Sequence, residues 1–126
     1  MRTMRALWMV FGLLAALAGP AAAGEVEVVA AEAAAEGRGR FAFTVTLRHA
    51  DEGWEHYADR WDVVSPGGET VYDERVLWHP HVTEQPFTRS LGGVAVPEGV
   101  AEVRVRGHDK VHGFGGNEVR VRLPGR

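Results

Sequence analysis

Apolar and polar residues alternate in short runs through most of this chain, and glycine or proline ends each run before a helix-length pattern develops. The clearest case spans residues 40 to 49. There Phe41, Phe43, Val45 and Leu47 fall on one side of an extended chain, and Ala42, Thr44, Thr46 and Arg48 on the other. Residues 25 to 31, 102 to 106 and 117 to 123 repeat the pattern. Ser65-Pro66-Gly67-Gly68 supplies a turn between two strands drawn from residues 56 to 78, because proline presets one dihedral and glycine admits positive φ. A weaker strand covers residues 86 to 94, and residues 32 to 39 read as a strand end followed by a loop. Seven strands in about a hundred residues predict an all-β fold: a seven-stranded antiparallel sandwich of two sheets.

The first 23 residues do not fit that pattern. Arg2 and Arg5 precede an apolar run from residue 6 to 18, then Gly19-Pro20 and three alanines. This is the layout of a secretory signal peptide, with cleavage expected after Ala23, within a residue or two. The run is shorter than the ~20 residues of a membrane span. Residues 24 to 126 are therefore expected to form one domain, periplasmic or secreted, with no membrane attachment after cleavage. Without Arg2 and Arg5 that domain holds 12 basic against 17 acidic residues, a formal −5. Such a balance, with no basic stripe, argues against a nucleic-acid partner.

The chain has no cysteine. That rules out disulfides, a lipid-bearing N-terminal thiol, thiol redox chemistry and a thiolate copper site. All three methionines lie within the first nine residues, so a metal in the domain must be held by nitrogen and oxygen donors.

Trp61 on the third strand, followed by the turn in "WDVVSPGGE", resembles the third strand and turn of immunoglobulin and fibronectin type III modules. The absence of an inter-sheet disulfide favours the fibronectin-like form. The segments "HADEGWEHYADRW", "HPHVTEQPFTRSL" and "VHGFGGNEVRV" are similar to small exported bacterial proteins of unassigned function. That resemblance implies export and a single compact domain, and it implies no mechanism.

All six histidines follow residue 23: His49, His56, His79, His81, His108 and His112. If each strand reverses direction, the second–third, fourth–fifth and sixth–seventh loops share one end of the sandwich, and every histidine lies on or beside them. Pro80 holds His79 extended, so His79 and His81 point the same way and can chelate together. His49 shares the inward parity of Leu47. His112 lies in a glycine-rich loop able to fold over a site. His79, His81, His49, His56 and His112 are thus the candidate ligands for a divalent metal ion. His108 has outward parity and is left out. Asp51, Glu52, Glu55 and Asp109 lie in the same loops, able to complete the shell or to orient an imidazole. Imidazole-rich sites without sulfur point to Cu or Zn.

Two other readings compete. Trp54, Tyr57, Trp78 and Phe114 fall near the same end and could anchor a protein partner or ligand without any metal, whereas Trp61 is expected in the core. An enzyme ranks below both, since there is no G-x-S-x-G, no cysteine and no H-E-x-x-H. "HGFGG" precedes a strand rather than a helix, so its glycines read as turn residues and not as a phosphate cradle.

Overall fold

A computed structural model describes residues 24–126. The signal-peptide reading of residues 1–23 lies outside the described residues. Seven strands follow in order: β1 (Glu27–Gly37), β2 (Arg40–Arg48), β3 (Ala58–Val64), β4 (Val71–Val76), β5 (Phe87–Ala95), β6 (Glu102–Asp109) and β7 (Glu118–Arg122). Every pairing is antiparallel, and no helix occurs among the described residues. One sheet has the order β1-β2-β5 and the other β4-β3-β6-β7.

The alternation in β2 translates directly into burial. Phe41, Phe43, Val45 and Leu47 enter the core while Thr44 and Arg48 are exposed. They meet Trp61 and Val63 of β3, Val103 and Val105 of β6, and Val94 of β5 in a single cluster between the sheets. Trp61 is fully buried, as expected. Each fully buried valine, leucine or phenylalanine stabilises the fold by about 1.5–3 kcal/mol. Burial on that scale lets the domain hold without a cross-link.

β1 departs from expectation. It runs on through the alanines to Gly37 and turns in two residues, Arg38 (φ 57°) and Gly39 (φ 75°). Positive φ at both positions makes a tight mirror-image turn whose twist matches the strands. Side chains at residues 30 to 35 give little apolar–polar contrast. The strand persists because its backbone pairs with β2, with Ala31 opposite Val45 and Ala33 opposite Phe43.

The start of β1 also grips the other sheet. Asn117 accepts from the Val28 amide at 2.8 Å and donates to the Val28 carbonyl at 3.1 Å. Gly116 packs so closely on the Val26 carbonyl that a Cβ there would collide with backbone. We expect Gly116→Ala to destabilise the domain by about 1–3 kcal/mol through overpacking, read as a lower urea midpoint.

This clamp sets one end of the sandwich. The loops after β2, β4 and β6 lie there with the beginning of β1, joined by hydrogen bonds from His49 to Asp109 and from His81 to Asp51. The turns at residues 38–39, 65–70 and 96–101 occupy the other end and contain no histidine.

Candidate metal centre

Asp109 is the last residue of β6, and it is fully buried. One oxygen, Oδ1, accepts from the backbone amides of Val111 at 2.7 Å and His112 at 2.5 Å, which shapes the β6–β7 loop. The carboxylate also faces two imidazoles. His49 Nε2 is 3.2 Å from Oδ2, and His56 Nε2 is 3.7 Å from Oδ1. Strand parity carries His49 inward past Leu47, whereas His56 is positioned by a turn. In that turn Glu52 N donates to His56 O at 2.8 Å, and His56 N donates to Gly53 O at 3.2 Å. The two rings meet edge to face at 4.9 Å. His49, His56 and Asp109 each offer one ligand atom, all within 4.8 Å of one another.

Oxygens flank both nitrogens of each ring. His49 Nδ1 lies 2.6 Å from Asp51 Oδ1, and its Nε2 lies 2.9 Å from the Gly24 carbonyl as well as near Asp109. His56 Nδ1 lies 2.8 Å from Glu52 Oε1, and its Nε2 lies 3.3 Å from the same Gly24 carbonyl. A neutral imidazole has one donor and one acceptor nitrogen, so it cannot satisfy two oxygens. A ring that satisfies both of its oxygens is an imidazolium, whereas a neutral ring protonated at Nδ1 leaves the Nε2 lone pair facing the Gly24 carbonyl.

Electrostatics agree. Burial pulls the His49 pKa down, but the bonds to Asp51 and Gly24 and the charges of Asp51 and Asp109 outweigh it, and the net shift is upward. His56 is raised mainly by its bond to Glu52, against partial burial. Burial works to raise Asp51 and Asp109, yet donors hold both below the ordinary carboxylate value. For Asp51 these are His49 and the amides of His81 and Ala58; for Asp109 they are the amides of His112 and Val111.

The other histidines occupy three different settings. His112 is 38% exposed and stands one step outside, its Nδ1 3.3 Å from Asp109 Oδ2 and its ring 5.1 Å from that of His56. His81 lies behind Asp51, whose Oδ2 accepts from the His81 amide at 2.6 Å. Its ring stacks on Phe87 at 3.9 Å, and its Nε2 accepts from Arg89 at 2.8 Å. The Nδ1 proton then has no partner; Asp51 Oδ2 is 4.0 Å away. Burial, then the charges of Arg89 and His79, lower the His81 pKa. The exposed His79 ring packs 4.6 Å from that of His81. His108 faces away, pairing with Asp59 at 2.6 Å.

So His49, His56 and, at the margin, His112 gather at one point, and the His79–His81 pair stands apart from it. Of the four acidic candidates, Asp109 joins the group, Asp51 and Glu52 brace the imidazoles, and Glu55 is exposed. The central place of Asp109 was readable, because it continues the inward parity of Val103 and Val105. The Gly24 carbonyl had no signal, since a backbone oxygen leaves no mark in a sequence.

The aromatics divide as well. Trp54 and Trp78 are 63% and 74% exposed, while Tyr57 is buried. Phe114 lies under two guanidinium groups, Arg106 at 4.1 Å and Arg60 at 5.1 Å.

No family model and no solved structure matches the chain. It is similar to a protein of Halomicrobium mukohataei named "Putative lipoprotein", with 48% identity over 79 residues, covering 63% of this chain and 38% of that protein. The chain thus spans well under half the length of the relative it matches.

Proposed function

We propose that the protein is an exported metal-binding protein, taking one Cu or Zn ion at the histidine end of a fibronectin type III-like sandwich after removal of a signal peptide. His49 Nε2, His56 Nε2 and an Asp109 oxygen are the ligands, and His112 closes the shell. Asp51 and Glu52 accept from the Nδ1 protons and fix each ring with Nε2 toward the ion, as outer carboxylates do in zinc sites. His79 and His81 support the site from behind Asp51 without touching the ion. The lipoprotein name of the Halomicrobium relative supports export.

The observation that carries this reading is the pair of rings with oxygens at both nitrogens. Two imidazolium rings carry two positive charges. Two neutral rings and one divalent ion carry the same. A metal can therefore replace the two Nε2 protons with no change in net charge against Asp51, Glu52 and Asp109. Because both imidazole pKa values are raised, protons compete in neutral solution, and affinity falls by up to about two logarithmic units per pH unit once both rings are protonated.

Calorimetry with Cu(II) and Zn(II) at pH 7.5 tests the reading. One ion per chain is expected, with uptake weakening steeply toward pH 6. No heat and no chelator-sensitive shift in melting temperature would end it. The exposure of Trp54 and Trp78 favours a second reading, a metal-independent binding module. A purified partner held in excess EDTA and released by the double change Trp54→Ala, Trp78→Ala would favour it instead.

A further inference from the structure

We propose that Gly24 is itself a ligand: its carbonyl oxygen faces the ion, and cleavage of the Ala23–Gly24 bond adds its amino nitrogen to the same chelate. This rests on the metal-binding reading and adds a processing requirement to it.

Two observations carry the inference. First, one backbone oxygen, that of Gly24, stands 2.9 Å from His49 Nε2 and 3.3 Å from His56 Nε2, the two nitrogens that must release protons to a metal. An ion taken by both nitrogens meets that oxygen. Second, position 24 favours glycine in the uncut chain. Its φ is +93°, and a Cβ there would lie 2.6 Å from His112 Cε1. The His112 ring thus covers the Gly24 α-carbon and shuts the outer side of the group.

Cleavage changes the chemistry of this residue. A leader peptidase hydrolyses the Ala23–Gly24 amide: the hydroxyl of water goes to the Ala23 carbonyl, and the proton to the Gly24 nitrogen. An amide nitrogen is a poor ligand, whereas a free amine is a good one. Amine and carbonyl oxygen of one residue close a five-membered ring on a metal. The uncut chain holds the carbonyl contact alone and binds more weakly.

The test uses the full chain, exported and processed in a bacterial host. Lys110 is the sole lysine, so Lys110→Arg leaves the N-terminal amine as the one group open to acetylation. Mass spectrometry must first find Gly24 at the N-terminus; any other start overturns the proposal. Cu(II) affinity is then compared between free and acetylated protein by competition with a chromophoric chelator, on samples matched in urea midpoint. The free form is expected to bind at least about tenfold tighter, and ¹⁵N at Gly24 to alter the Cu(II) hyperfine pattern. Equal affinities with no ¹⁵N effect, while His49→Gln still abolishes binding, would overturn the role of Gly24 and leave the histidine site standing. Absence of Cu(II) binding in every form would sink both.

Discussion

His49→Gln is expected to lower Cu(II) and Zn(II) affinity by well over a hundredfold, the largest binding effect of any single change. Glutamine keeps much of the volume and can still meet Asp51, so the core should survive. What it cannot supply is an imidazole nitrogen aimed at Asp109. The proper comparison is Glu52→Gln, which leaves His56 in place and removes only the carboxylate behind it. Loss of such an outer partner costs roughly 10–100-fold. Glu52 is largely exposed, so the low end of that range applies. The ranking of the two variants, rather than either value alone, separates a ligand from a residue that orients one. Competition titration reads it directly. Should His49→Gln bind within threefold of the parent chain, the ion does not sit between these rings.

Strand parity made the middle of the sandwich and part of this site legible in the sequence. It put Phe41 to Leu47 inside, carried His49 after them, and would have carried Asp109 after Val103 and Val105. The reversal of each strand then brought three loops together. Parity fails where the chain leaves its strands. His56 points inward because of a turn closed by Glu52 and Gly53, and no alternation encodes that. His79 and His81 have the local geometry of a chelate, but Asp51 takes the His81 amide and Arg89 takes its Nε2, so the pair turns toward Phe87. The alanine-rich half of β1 was unreadable for a different reason: its strand is held by backbone pairing, which residue type barely reflects.

The same buried charges predict opposite pH profiles for ion-free and ion-loaded protein. The His49 pKa is raised on folding, so its contribution is complete below the unfolded value of about 6.5 and fades as pH climbs through the folded value. Asp51 and Asp109 are lowered, so theirs is complete above about 3.9 and fades as pH drops through their folded values. His56, also raised, adds to the loss toward pH 8, while the lowered His81 costs stability as pH falls below about 6.5, so ion-free protein should weaken toward about pH 8 and again in acid rather than hold level down to about pH 4. A bound ion works the other way. At a free concentration a hundred times its dissociation constant it adds about 2.7 kcal/mol, but only where the imidazoles have released their Nε2 protons. Urea midpoints measured with EDTA and with Zn(II) should coincide near pH 5 and separate progressively above pH 7. Asp51→Ala should flatten both curves and lower them by about 3–5 kcal/mol, the cost of leaving a buried ion pair with one member. It also strips the amides of Ala58 and His81 of their acceptor. Curves that run parallel from pH 5 to 8 would mean that the ion, if it binds at all, does so without displacing protons from His49 and His56. The charge-neutral exchange that joins these rings to a metal would then be wrong.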